Sequence, residues 1–441
     1  MPTVILGGGI IGLSTAYYLS LSTSPNAKDE IHVIDPMEHL FDCASGYGAG
    51  FLARDWFSPE LSSLGALSFD LHEQLAREHG GHEKWGYMRS TAYGLQVQYA
   101  DGQRSASGHD WLRQGASRGE VAVKRDKALE EEEASPGWLT DQVGGVVERI
   151  SDVKGAAQVD PLRLCKFLLA KCIERGVHVH NPARAISLVK DPSSGSIIAI
   201  KARNQTTNVV STIPCTSLVF AAGAWTPRAF TTLFPDSSTR IPVTSLSGYS
   251  ILLRSPRHTL SHESDTYGGA SHALFTTHPR SCAFSPETFS RGGAEIYLAG
   301  LNSAETPLPE LASDAHGMME KDKVVRVKRA AVTLMGRLDP NVTSRGKEGQ
   351  GNIDDLEVIR EALCFRPWTE SGRPIIARIG ERVLGNGVAG PVGGVFMATG
   401  HGPWGISMSL GTGKVVAEMV RGVRTSADVS ELGLEWRMAK I

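Results

Sequence analysis

Short apolar runs alternate along the chain with segments of helical period, and glycine or polar turns separate them. Residues 3–7 (Thr-Val-Ile-Leu-Gly) read as a buried strand. Residues 10–22 place Ile10, Leu13 and Tyr17, with Tyr18 beside them, toward one side of a helix. Residues 31–35 (Ile-His-Val-Ile-Asp) predict a second buried strand, so a βαβ unit closes within about 35 residues. Leu64, Leu67, Leu71 and Leu75 predict a helix over 61–79, and residues 84–100 read as strands. Pro161 opens an amphipathic helix over 161–176. Strand-like segments follow at 177–180, 185–189, 197–202 and 207–211, then a buried strand at 217–222. Residues 241–301 are strand-rich, with turns at Ser255–Pro256 and Gly268–Gly269, and 315–335 predict a helix. Residues 342–354 read as an exposed loop. The last strand, 394–399, runs into a glycine-rich turn and a helix over 411–421.

Nucleotide-type βαβ elements thus stand at both ends and in the middle of the chain, and strand-rich stretches interrupt them. The predicted fold class is α/β. A Rossmann-like dinucleotide-binding domain, discontinuous in sequence (1–80, 150–235 and 355–441), is joined to a second α+β substrate domain on an antiparallel sheet (81–149 and 236–354).

Composition narrows the function class. The chain has 441 residues, 41% hydrophobic and 21% charged, which suits a globular protein of two or so domains rather than a disordered chain. A formal net charge of -2 gives no electrostatic footprint for nucleic acid. No apolar run is long enough to span a membrane, and a strand from residue 3 leaves no room for a leader peptide. The six cysteines (43, 165, 172, 215, 282 and 364) form no C-x-x-C pair and no histidine cluster accompanies them, so neither a zinc site nor a disulfide scaffold is expected. The polar stretch 101–137, with Lys124–Lys127 followed by Glu130–Glu133, reads as a solvated helix or loop. Forty-eight glycines exceed the usual share, and the motifs give many of them a place.

Gly7-Gly8-Gly9-Ile10-Ile11-Gly12 is G-x-G-x-x-G between a predicted strand and a helix, with Asp35 ending the next strand. Gly7 permits the tight turn, Gly9 the approach of a pyrophosphate, and Gly12 close helix–strand packing. Free N–H groups at the start of the helix (Ile10, Ile11) attract the phosphates. The Asp35 carboxylate would accept from a ribose diol and repel a 2′-phosphate, which argues against NADP. Two further strand ends, Ala221-Ala222-Gly223-Ala224-Trp225 and Gly400-His401-Gly402-Pro403-Trp404-Gly405, converge on the same long dinucleotide.

These pieces resemble the D-amino-acid-oxidase-like FAD oxidoreductases, which include glycine oxidase, sarcosine oxidase and fungal amadoriases, with the nearest likeness to a fungal subgroup. The resemblance rests on the fingerprint, Ala44-Ser45-Gly46-Tyr47-Gly48-Ala49-Gly50, Gln158-Val159-Asp160-Pro161, Ala221–Trp225, Phe365-Arg366-Pro367 and the Gly-His-Gly at 400. It implies an FAD domain, a sheet covering the flavin, and two-electron oxidation of a C–N bond, usually with transfer to oxygen. By that likeness Ala44 and Ser45 sit by the pyrophosphate or ribitol. Gly48, Ala49, Gly50 and Phe51 lie at the isoalloxazine, Ala183 at the adenine, and Ala222, Gly223 and Trp225 along the cofactor. Gly400, His401, Gly402, Pro403, Gly405 and Ile406 form the loop at the pyrimidine edge.

The same likeness makes Arg366 the clamp for a substrate carboxylate. A structural ion pair or a bond to flavin oxygens are the alternatives. Cys364 falls where sarcosine oxidases and amadoriases join a cysteine to the flavin, although a free cysteine is also a common small buried hydrophobe. His401 could serve as acid or base, but hydride transfer from a neutral amine needs no strong base, so a positioning role is expected. Sarcosine oxidases carry a lysine after Gly-His-Gly. Pro403 and Trp404 stand there instead, which questions both a small N-methyl amino acid substrate and fast oxidase turnover. Trp404 either walls the pocket or packs in the core, and Arg54 is a second candidate for an anion. Nothing resembles a Ser–His–Asp triad, and the sequon Asn341-Val342-Thr343 is expected to be idle.

The expected activity is FAD-dependent oxidation of an amino acid or secondary amine, with reoxidation by oxygen giving hydrogen peroxide. A dehydrogenase of the same fold with another acceptor, or a regulatory or trafficking protein retaining FAD structurally, are the alternatives. The terminal Ala439-Lys440-Ile441 is similar to a Ser-Lys-Leu address, so a cytoplasmic or peroxisomal location is expected.

Overall fold

A computed structural model describes residues 2–21, 30–97, 135–142, 145–277, 284–339 and 351–434. The charged run 124–133, Cys282, the sequon at 341 and the C-terminal tripeptide lie outside them.

Three sheets organise the described residues. The first joins β17 (Ile375–Ile379), β18 (Gly394–Thr399), β11 (Ser217–Phe220), β1 (Thr3–Leu6), β2 (Ile31–Ile34) and β7 (His178–His180) in that order. All neighbours are parallel except the edge strand β17, which is antiparallel to β18. β1, β2, β11 and β18 are buried along their whole length, which explains their unbroken apolar runs. A small antiparallel sheet follows, β10 (Val210–Pro214), β9 (Ile197–Asn204) and β8 (Ala183–Lys190).

The third sheet has nine strands. Its order is β16 (Glu357–Trp368), β12 (Thr244–Arg254), β15 (Glu295–Ser303), β14 (Glu287–Arg291), β13 (Ser271–Thr276), β4 (Met88–Val97), β6 (Ala156–Gln158) and β3 (Phe51–Ala53), with β5 (Gly145–Ser151) pairing β4. It is antiparallel apart from the parallel pair β4 and β13. Helix Lys321–Met335 covers one face through Val327, Ala330, Leu334 and Met335. The other face turns toward the first sheet.

Helix Ile10–Ser20 is buried almost all round, because helices Pro161–Glu174 and Ser409–Val420 pack on it as well as the sheet. Asp160 caps the 161–174 helix by accepting from Arg163 N–H at 3.0 Å.

Local chemistry moved some boundaries. Strand β4 begins at Met88, because Gly81–Trp85 forms a short helix that Gly86 closes in the left-handed region. The strand expected at 207–211 starts at Val210. Asn204 Oδ1 accepts from Thr206 and Thr207 N–H, and Asn208 stands at φ 58, so these residues make a turn. The helix expected over 315–335 is a 3-10 turn (Ala312–Met318) and a separate helix (Lys321–Met335), split by extended backbone at Met319.

Candidate functional site

The ends of β1, β2, β11 and β18 open onto one elongated cavity between the parallel sheet and the nine-stranded sheet. Gly7 N–H donates to Ile34 O at 2.9 Å and Ala221 N–H to Leu6 O at 2.8 Å, which ties three strand ends together. Gly7 sits at φ +110, and a Cβ there would stand 2.5 Å from Ala221 O. A Cβ on Gly12 would stand 1.9 Å from Gly7 O, so the helix can rest on the turn only without a side chain. Gly12 does not line the cavity; it sets the helix that does.

Asp35 is partly buried, and its desolvation raises the carboxyl above the usual range. Hydrogen bonds from Gly8 N–H (2.7 Å) and Met37 N–H (2.9 Å) oppose the shift. Ala183 stands beside it, its N–H on Asp35 O at 2.8 Å. Gly9, Ile10, Ile11, Ala44 and Ser45 line the next stretch, and Ser45 Oγ accepts from Ile10 N–H at 3.0 Å. Ala222, Gly223 and Trp225 line the wall from β11, and Gly48, Ala49, Gly50 and Phe51 the opposite one.

At the far end Cys364 and Arg366 project from β16, with Tyr297, Ala299 and Asn302 from β15 and Glu287 from β14. Arg366 Nη1 donates to Asn302 Oδ1 at 2.7 Å. Arg366 makes no ion pair among the described residues, and its guanidinium opens on the cavity. Gly248 on β12 makes room for it, since a Cβ there would stand 2.4 Å from Arg366 Nη1. Burial raises the Cys364 thiol, and it pushes the cavity-lining Cys43 up to about 11. His401, Gly402, Pro403, Gly405 and Ile406 close this end from the β18 side. His401 Nε2 lies 3.0 Å from Thr412 Oγ1, and burial pushes the ring down to about 3, so it is neutral.

The chain's likenesses agree with this arrangement. Residues 3–419 match the family profile described as DAO, FAD dependent oxidoreductase. The chain belongs to the DAO family of FAD-dependent oxidoreductases. Two fungal proteins named as oxidoreductases match along most of their length. The one from Schizosaccharomyces pombe is 26% identical, over 98% of this chain and 97% of its own. TDA3 of Saccharomyces cerevisiae is 22% identical, over 97% and 93%. Solved structures share the fold. Glycine oxidase from Geobacillus kaustophilus aligns with a TM-score of 0.67 at 19% identity, covering 98% of this chain and 97% of that one. L-proline dehydrogenase from P. horikoshii aligns at 0.66 and 15%, covering 100% and 99%.

The residues fit the family's FAD. The cavity is glycine-walled, with the partly buried Asp35 carboxylate at one end and, among the described residues, no acceptor for the Ala49 and Gly50 N–H groups in its wall. The DAO-family site does not take in every expected residue. Trp404 is outside the cavity. Its ring packs edge-on against Phe57 (centroids 4.9 Å apart, planes at 71°), because the short turn Gly402–Trp404 directs it into the helix core. Arg54 is also outside, pairing with Asp70 (3.3 Å) and Asp55 (3.2 Å) at the surface. Gly400 backs the loop at φ +80 without lining the cavity.

Other cavity residues carry no local signature. Arg184 and Arg228 both hold Glu310, whose neighbours Leu311 and Ala312 close over the Asp35 end. Glu287 and Tyr297 reach the site through strand alternation in the nine-stranded sheet, and Asn302 through the register shift between Ala299 and Asn302 on β15. Residues of this kind are set by pairing between strands, as Asn302 is with Gly248, beyond any local motif.

Proposed function

We propose that this chain oxidises the C–N bond of an amino acid or secondary amine, and that oxygen then reoxidises the flavin to give hydrogen peroxide. Bound FAD supplies a two-electron acceptor for the substrate's C–H hydride, and the resulting imine hydrolyses. Arg366 carries the reading, as a guanidinium without a carboxylate partner among the described residues, at the end of the cavity where β16 faces the β18 loop. It would hold a substrate carboxylate through paired N–H donors and so orient the reacting C–H bond. Asn302 fixes the guanidinium from behind. Tyr297 and Ala299 offer an apolar wall that keeps the amine neutral by excluding water. His401, neutral and engaged with Thr412, supports the loop rather than moving a proton.

A panel of amino acids and secondary amines, assayed with an oxygen electrode and peroxide detection, tests the proposal. Peroxide formed in step with oxygen consumed is the expected outcome. Substrate-reduced flavin that is stable in air would identify a dehydrogenase, the reading favoured by Pro403 and Trp404 in place of the sarcosine-oxidase lysine. Bound FAD without turnover on any amine would leave a structural role for the cofactor. Burial keeps the Cys364 thiol protonated, so acid precipitation is expected to release FAD into the supernatant. Flavin left on the polypeptide, and freed by Cys364→Ser, would establish a thioether.

A further inference from the structure

Arg291 on β14 is 2% exposed, yet no carboxylate lies within ion-pair distance of it among the described residues. Asp160 and Glu295 act on it only through space, and Tyr297 offers its ring face, 4.7 Å from the guanidinium. Its hydrogen bonds go to backbone instead. Nε donates to Ala49 O at 3.2 Å, and Nη2 donates to Ala49 O at 2.7 Å and to Gly48 O at 2.5 Å. Gln158 Nε2 also donates to Ala49 O, at 2.6 Å, and Val159 N–H donates to Gly50 O at 3.0 Å. Three successive carbonyls are therefore drawn toward the nine-stranded sheet.

In a trans peptide the N–H points opposite to the C=O of the same plane. Turning the Gly48 and Ala49 carbonyls back aims the N–H groups of Ala49 and Gly50 the other way, and no described acceptor meets either one. Both residues line the cavity. Arg360, whose guanidinium lies 4.9 Å from the Tyr47 ring centroid, adds a second cation behind the same segment. An arginine stays charged under burial, so a fixed positive charge and two oriented amide dipoles converge on one wall.

We infer that Arg291 is a positioning residue for the flavin ring. It turns the Ala49 and Gly50 amides toward the ring and stabilises the negative charge the ring gains on reduction. The inference rests on the reading of this cavity as the FAD site.

The test compares FAD-loaded wild type, R291M and R291K by FAD dissociation constant, flavin midpoint potential and affinity for sulfite, a probe that adds only where the ring tolerates negative charge. R291M is expected to retain oxidised FAD, to shift the midpoint to more negative potential and to bind sulfite at least tenfold more weakly. R291K keeps the charge but not the fork, and should fall between. An R291M protein that holds FAD with wild-type potential and sulfite affinity overturns the inference. If R291M does not fold, R291K decides, with a threefold or greater loss of sulfite affinity expected and an unchanged value overturning the inference. Wild type that binds no FAD would instead overturn the function reading on which it rests.

Discussion

Arg366 shows what one residue can and cannot reveal. The resemblance of Phe365-Arg366-Pro367 to the D-amino-acid-oxidase-like proteins implied a carboxylate clamp, with an ion pair or a bond to flavin oxygens as the alternatives. The structure puts Asn302 against one N–H group and leaves the guanidinium facing the cavity. Arg366→Ala should raise KM for carboxylate substrates by about 10–100-fold, the worth of a charged hydrogen-bond pair, and change carboxylate-free amines little. Steady-state kinetics on both substrate classes checks this. Equal losses would mean that the side chain serves the fold or the flavin. Trp404 and Arg54 were weaker candidates in sequence, the one an alternative between pocket wall and core, the other a second anion site. Their surroundings decided otherwise, with Phe57 taking the indole and two aspartates taking the guanidinium.

At the scale of elements, pairing register does what motifs do not. β12 lies between β16 and β15, so Gly248 stands opposite both Cys364 and Asn302. The missing side chain leaves the space in which Arg366 reaches Asn302. Gly248→Ala places a methyl 2.4 Å from Arg366 Nη1 and 2.7 Å from Asn302 Oδ1. Its backbone is not left-handed, and the clashing atoms are side-chain ends that can swing away. Stability should therefore fall by about 1 kcal/mol or less, while carboxylate-substrate kcat/KM drops roughly tenfold, as for a misplaced positioning group. Thermal melts beside kinetics separate the two effects. A large drop in Tm with normal kcat/KM in the surviving protein would refute it. The fingerprint helix was legible for the opposite reason. Gly7, Gly9, Gly12 and Asp35 lie within one βαβ unit, where local chain geometry already dictates which residue fits.

The whole molecule keeps several histidines out of water. Burial pushes His32, His72, His258 and His272 down to about 4 and His401 to about 3. Unfolded, each would titrate near 6.5. Between about pH 6.5 and 4 the unfolded chain binds protons that the folded chain does not, so stability is full above that window and is lost as pH falls through it. A fully buried histidine costs up to about 1.4 kcal/mol per pH unit there. Tm measured from pH 7 to 4.5 should fall progressively, and His72→Asn, if it folds, should flatten the curve. A Tm independent of pH over that range would contradict the assignment.

The sequence by itself determined the parallel strands of the first sheet and the glycine turns at their ends. These depend on local rules, namely apolar runs, turn geometry and a carboxylate at a strand end. Only the tertiary structure decided what the other wall is. Tyr297, Asn302 and Glu287 line the cavity, and Arg291 stands behind its wall, because their hairpin pairs with β12 and through it with β16, and an alternating strand carries no mark of which neighbour it will meet. A buried arginine on backbone carbonyls looks, in sequence, like any polar residue at the end of a strand.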